Sequence, residues 1–225
     1  MAQTHIQPPP IQRLTDGIAR LGLRLPPEAP TRLLAYQAEL QKWNLAYNLT
    51  AVRDPDEMLI RHLLDSLSLL PLLDELAAAR QGAGLRILDV GAGAGLPCIP
   101  LAIARPAWSL TGLDSNGKKA RFMRHAQRSL GLDNFSVIEG RVEAASAGEG
   151  YDCITSRAFA SLSDFFQLTA GLLAADGIWL AMKGKLESDE LAALPAGVDI
   201  LETRRLRVPG LNEERHAVIA KPKKK

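Results

Sequence analysis

The segment Ile87-Leu88-Asp89-Val90-Gly91-Ala92-Gly93-Ala94-Gly95-Leu96-Pro97 constrains the fold more than any other part of the chain. A short apolar run enters three alternating glycines, and a proline suited to the first turn of a helix follows. Glycine lets the backbone turn tightly and approach a ligand that a Cβ would push away. Strand, glycine loop and helix in this order put a ligand outside the carboxyl end of a strand in an open α/β sheet. The chain from Leu85 onward keeps the same alternation. Strands are expected at Leu85 to Val90, Ser109 to Asp114, Ser136 to Glu139, Tyr151 to Ser156 and Ile178 to Lys183, and helices at Pro97 to Ala104, Lys118 to Leu130 and Leu162 to Ala174. This predicts a Rossmann-like α/β fold, with a mostly parallel sheet covered by helices on both faces. Ile200 to Val208 and His216 to Ala220 read as a final antiparallel hairpin turning at Pro209-Gly210.

The N-terminal third has a different texture. Apolar residues near 3.6 spacing predict helices over Ile11 to Leu23, from Thr31 past Trp43, and from Asp54 towards Leu76. The expected organisation is a disordered tail over 1–12, a helical extension over 13–84, a ligand-binding domain over 85–220 and a basic tail over 221–225. Lys221, Lys223, Lys224 and Lys225 form that tail, and without them the formal charge of +2 changes sign. Such a tail binds phosphate backbones or is simply a solvated end.

With 225 residues, 47% of them apolar, the chain can bury a core without staples. No run of about 18 apolar residues predicts a membrane span. Pro8-Pro9-Pro10 stands where a signal peptide needs an apolar core. Cys98 and Cys153 form no C-x-x-C pair, so no metal site is expected and a reducing cytoplasm fits.

The glycine spacing narrows the ligand. A dinucleotide fingerprint needs G-x-G-x-x-G, and Leu96 occupies the third glycine position. G-x-G-x-G favours S-adenosyl-L-methionine, which has no pyrophosphate to cradle. Asp114, ending the second strand, is placed to accept hydrogen bonds from a ribose diol, with Ser115 beside it. Gly91 and Gly93 allow close approach of the amino-acid end. Three other readings stay open on these residues. They are a methyltransferase acting on a small molecule or protein, a ribosome-associated RNA-binding protein without turnover, and an NAD-dependent oxidoreductase, which Leu96 disfavours.

Segments spread from Trp43 to the C-terminus carry a family resemblance. They include Trp43-Asn44, Asn48-Leu49-Thr50, His62-Leu63-Leu64-Asp65-Ser66-Leu67, Asp89 to Pro100, Asp114-Ser115-Asn116-Gly117-Lys118-Lys119, Gly140-Arg141-Val142-Glu143, Ser156-Arg157-Ala158-Phe159-Ala160, Met182-Lys183-Gly184 and Arg215-His216. The chain resembles the bacterial RsmG (GidB) family, class I methyltransferases that methylate N7 of a guanine in small-subunit (16S) ribosomal RNA. The resemblance implies that Gly91, Leu96, Val142, Glu143 and Arg157 contact the cofactor. It also implies a ribosomal RNA or ribosomal particle as partner; a single chain is expected to act. The family usually has glycine where Cys98 stands. A thiol there either packs as a small apolar group or, at a helix start, has a lowered pKa.

Guanine N7 carries a lone pair and no proton, so no catalytic base is assigned and Arg157 is expected to position. The resemblance, not helical spacing, puts Asn48, His62 and Asp65 at the mouth of the substrate pocket; by itself a lone histidine on a helix reads as a structural residue. Phe159 reads either as a core residue or as a stacking surface for an extruded base. Lys118, Lys119, Arg121, Arg124, Arg128 and Lys183 are the candidate RNA contacts, or else a solvated basic face.

Overall fold

The computed structural model of the chain describes residues 8–223 except Ala83, Ala147, Ala158, Ala160, 187–189 and 191–193. Seven strands form one sheet in the order β3-β2-β1-β4-β5-β7-β6. They are β1 (Arg86–Val90), β2 (Ser109–Asp114), β3 (Phe135–Glu139), β4 (Tyr151–Ser156), β5 (Leu173–Lys183), β6 (Val198–Arg205) and β7 (His216–Pro222). The first five are parallel to one another. β7 inserts antiparallel between β5 and β6. The chain runs outward from β1 through β2 to β3, then returns to the other side of β1 as β4. The carboxyl ends of β1 and β4 therefore flank the switch point, where open α/β sheets bind ligands. Gly91 follows β1 and Arg157 follows β4.

Period-two burial sorts the sheet residues into two cores. Ile87, Leu110, Phe135, Cys153 and Leu180 face one side, packed under the helical extension, α6 (Cys98–Ala104) and α7 (Gly117–Ser129). Leu88, Leu113, Ile154, Trp179 and Ala181 face the other, under α8 (Leu162–Thr169) with Phe165 and Phe166. The extension begins with α1 (Pro10–Arg20), so ordered helix starts inside the stretch expected as a tail, with Pro10 at its first turn. α2 (Ala29–Tyr47) buries Leu33, Tyr36 and Leu40 and packs on both α6 and α7. Its N-cap position is Glu28, upstream of the expected cap at Thr31.

The expected long third helix is divided. α3 (Pro55–Met58) is capped by Asp54, whose carboxylate accepts from the backbone N–H of Asp56 and Glu57. A π-helical stretch, Leu59–Leu64, follows, then α4 (Asp65–Leu67) and α5 (Leu70–Ala79). Pro71, in the first turn of α5, has no N–H to continue a preceding helix. α8 is shorter than expected, and β5 starts earlier, at Leu173. The last hairpin does not turn tightly at Pro209-Gly210. The Leu206 N–H donates to the Arg215 carbonyl at 2.7 Å, and 206–215 forms a loop whose Leu206 and Val208 are buried. The C-terminal tail is shorter than expected as well. Lys221 pairs in β7 with Asp199, Lys223 lies 3.8 Å from the Asp199 carboxylate, and Lys224 and Lys225 lie outside the described residues.

Asp65 ties three distant parts of the chain together. Its side chain is 4% exposed. One oxygen accepts from Arg157 Nη1 at 3.0 Å, the other from Arg215 Nε at 3.2 Å. The extension, the end of β4 and the final loop thus meet on one carboxylate. Burial pushes the Asp65 carboxyl up, and the two guanidiniums pull it down. Removing one partner of a buried charge cluster leaves the others uncompensated. Asp65→Ala is expected to lower the unfolding free energy by about 3–5 kcal/mol, measured by urea titration. A loss under about 1 kcal/mol, the range of exposed pairs, would show that the three segments are held by other contacts.

Candidate active site

The glycine loop is fastened from three sides. Gly91, with φ +71°, and Ala92 both donate their N–H to the Leu113 carbonyl, at 2.8 and 3.0 Å. The Gly93 N–H donates to Asp114 Oδ2 at 2.8 Å, while Asp114 Oδ1 accepts from the Asn116 N–H at 2.8 Å. From the extension, the buried Tyr36 hydroxyl donates to the Ala94 carbonyl at 2.8 Å. Gly95 has φ +90°, and a Cβ there would overlap Ile99. Beneath the loop, Asp89 is fully buried and accepts from the Cys98 N–H at 3.2 Å. Burial pushes its carboxyl up to about 7. The Cys98 thiol is also buried, and burial together with Asp89 raises its pKa, opposite to the lowering a helix start would give. Cys98 lines neither cavity of the site.

Two cavities open at the switch point and share Gly91. One, of about 340 Å³, is walled by Leu113, Asp114, Ser115, Val142, Glu143 and Phe159. The other, of about 470 Å³, is walled by Gly93, Leu96, His62, Asp65, Arg157 and Lys183, among others. The eight candidate cofactor residues are thus divided between two cavities that share Gly91. His62 and Asp65 line the second cavity, from the π-helical stretch and the residue after it. Single π turns recur at functional sites. His62 Nε2 lies 2.9 Å from Thr50 Oγ1. Burial, and then the Arg157 charge, lower its pKa to about 4, so the imidazole is neutral at pH 7.

Several expected substrate residues are placed elsewhere. Asn48 lines neither cavity. It caps α2 at φ +49°, its side-chain carbonyl accepts from Arg53, and the next residues, Leu49 and Thr50, form the wall. Phe159 packs on Phe165 at 5.2 Å between ring centroids and faces the Asp114 cavity, not the His62 cavity. Lys119 also lines the Asp114 cavity, with Nζ 4.0 Å from that carboxylate. Arg124 is drawn to Glu139 at 2.7 Å, and Lys183 to Glu190 at 2.7 Å. Lys118, Arg121 and Arg128 are exposed on α7, away from both cavity walls.

The sequence reading missed Thr50, Arg61 and Arg215 as wall residues. The Asn48-Leu49-Thr50 and Arg215-His216 segments were signals for two of them. Arg61 carried no sequence signal. It reaches the wall because Glu213 grips it with both oxygens, at 2.6 and 3.1 Å.

Residues 30–219 match the family model described as GidB, rRNA small subunit methyltransferase G. A ribosomal RNA small subunit methyltransferase G of Neisseria gonorrhoeae is 49% identical over 208 residues, covering 92% of this chain and 96% of that protein. The protein of the same name from Chromohalobacter salexigens is 52% identical over 198 residues, covering 88% and 90%. Among crystal structures, the glycopeptide N-methyltransferase MtfA superposes with a TM-score of 0.53 at 14% identity, covering 68% of this chain and 95% of that one. A ribosomal protein L11 methylase from Lactobacillus delbrueckii subsp. bulgaricus gives 0.52 at 16%, covering 69% and 78%. These two likenesses show a shared Rossmann-like fold. The family match and the relatives near 50% identity show more: the chain belongs to the rRNA small subunit methyltransferase G family.

Proposed function

We propose that the chain transfers a methyl group from S-adenosyl-L-methionine to N7 of a guanine in small-subunit (16S) ribosomal RNA. The observation that carries this reading is the pair of cavities meeting at Gly91, in a chain of this family. The residues fit the cofactor. Asp114 keeps lone pairs for a ribose although two N–H groups already bind it. Ser115, Val142, Glu143 and Phe159 surround the adenine side, and Gly91, Gly93, Leu96 and Arg157 the amino-acid side. When bound, the cofactor supplies an electrophilic methyl group on a sulfonium.

The target base enters the second cavity, beside Thr50, His62 and Lys183. N7 gives up no proton, so the chain's work is alignment and exclusion of water, which convert a two-body encounter into an oriented one. His62 serves as a neutral wall residue. Asp65 orients Arg157. The exposed Lys118, Arg121 and Arg128 have no ion pair among the described residues and face RNA phosphates. The work is done by a single chain in the cytoplasm. Its two cysteines are buried free thiols, and no helix among the described residues is long and apolar enough to cross a membrane.

Labelled adenosylmethionine and small ribosomal subunits lacking the modification provide the test. Label is expected at N7 of one guanine, and Asp114→Ala and Arg157→Ala are each expected to reduce transfer by about 10²-fold, the size of a positioning loss. Absence of RNA label with intact cofactor binding would remove the RNA assignment. The role of His62 has its own check. His62→Gln is expected to leave the shape of the kcat–pH profile unchanged between pH 6 and 8. A limb near pH 6.5 that disappears in His62→Gln would make His62 a proton-transfer group.

A further inference from the structure

A column of three rings lies between α2 and α7, outside both cavities. His125 lies against Trp43 with centroids 4.8 Å apart and planes tilted by 33°. Trp43 in turn lies against Tyr47 at 5.3 Å, with a tilt of 34°. The inner end is anchored. Trp43 touches the core ring of Phe122 at 5.6 Å, and His125 Nε2 is held by Glu39 at 2.6 Å. The outer end is open: Tyr47 is 38% exposed.

The helix packing fixes what surrounds that open ring. Arg32 of α2 reaches the Leu130 carbonyl at the end of α7, Glu39 reaches His125, and Trp43 reaches Phe122. The helices are therefore antiparallel, and one further turn of α2 brings Tyr47 level with the first turn of α7. Residues four apart share a helix face. Lys118 and Arg121 precede Phe122 and His125 by four, so they sit on the face turned to α2, one turn nearer Tyr47. Both are exposed and without an ion pair among the described residues. Tyr47 is also two residues from Leu49, a wall residue of the His62 cavity.

An exposed, backed aromatic ring beside unpaired cations is the arrangement that binds single-stranded nucleic acid, base on ring and phosphate on cation. We infer that Tyr47, backed by Trp43 and His125, stacks an unpaired base flanking the target nucleotide, while Lys118 and Arg121 take the adjoining phosphates. The inference rests on the RNA reading above and adds to it a substrate subsite outside the reaction cavity. It requires the target to lie in a single-stranded or opened stretch of RNA, since a paired base offers no free face.

Steady-state methyl transfer to small ribosomal subunits lacking the modification tests it, with the KM for subunits and for adenosylmethionine measured separately. Tyr47→Ala is expected to raise the KM for subunits at least about fivefold, the lower range for loss of one base–ring stack. The cofactor KM and the melting temperature should stay unchanged. Tyr47→Phe and Tyr47→Trp should behave as wild type, and Tyr47→Leu as Tyr47→Ala. Lys118→Ala and Arg121→Ala should each flatten the dependence of log KM on log salt by about one unit of slope, which Tyr47→Ala should not. An unchanged KM for subunits in Tyr47→Ala overturns the inference. So does Tyr47→Leu matching Tyr47→Phe, since bulk would then be doing what the ring is said to do. A parallel rise in both KM values overturns it too, by pointing to a disturbed fold. If wild type transfers no methyl to RNA, the RNA reading fails first and the subsite with it.

Discussion

Much of the site depends on one buried carboxylate. Asp65 comes from the helical extension, Arg157 from the end of β4 and Arg215 from the last loop, and no two of them are near in sequence. Taking three charged groups out of water is expensive, so the cluster is a poor source of net stability. What it supplies is register. Two guanidiniums can satisfy the two Asp65 oxygens at once only when all three segments sit in one relative position. Glu213 extends the same logic by holding Arg61 and, at 3.4 Å, Arg215. Arg61, Arg157 and Arg215 therefore reach the wall of the larger cavity already oriented, their positive charge fixed before any anionic ligand arrives.

Asp114 does for the glycine loop what Asp65 does for the larger cavity. A free acid at the end of β2 would be an adequate ribose acceptor. Here it also accepts the Gly93 N–H, so the acid and the loop cannot move independently. Tyr36 adds a tie from the extension to the same loop. The extension is thus structurally tied to the glycine loop, although it contributes no strand to the sheet.

What was legible in the sequence was what is decided locally. Strand, glycine loop and helix are neighbours in the chain, and the spacing of Gly91, Gly93 and Gly95 reflects backbone geometry more than tertiary context. The parallel direction of the five strands followed from the alternation of elements; their order is set by the structure. What was illegible depended on partners far away in sequence. Phe159 turns to the Asp114 cavity because Phe165 takes its ring. Arg124 leaves the expected basic face because Glu139, across on β3, draws it away. The long third helix looked continuous because a π turn keeps helical spacing almost intact. The Pro209-Gly210 pair marked a turn correctly in kind, yet the closing hydrogen bond lies outside it, at Leu206 and Arg215. Of the two readings of Cys98, a packed apolar group or a lowered thiol pKa, full burial beside Asp89 leaves the first.

In the proposed reading, Gly91 stands between a cofactor cavity and a target cavity. A crystal structure with S-adenosylhomocysteine tests it most directly. The expected result has the adenine against Val142 and Phe159, the ribose on Asp114 and the amino-acid end beyond Gly91 towards Arg157, with the space beside Thr50 and His62 left open for the target base. A nucleoside lodged beside Thr50 and His62, with Asp114 untouched, would contradict it.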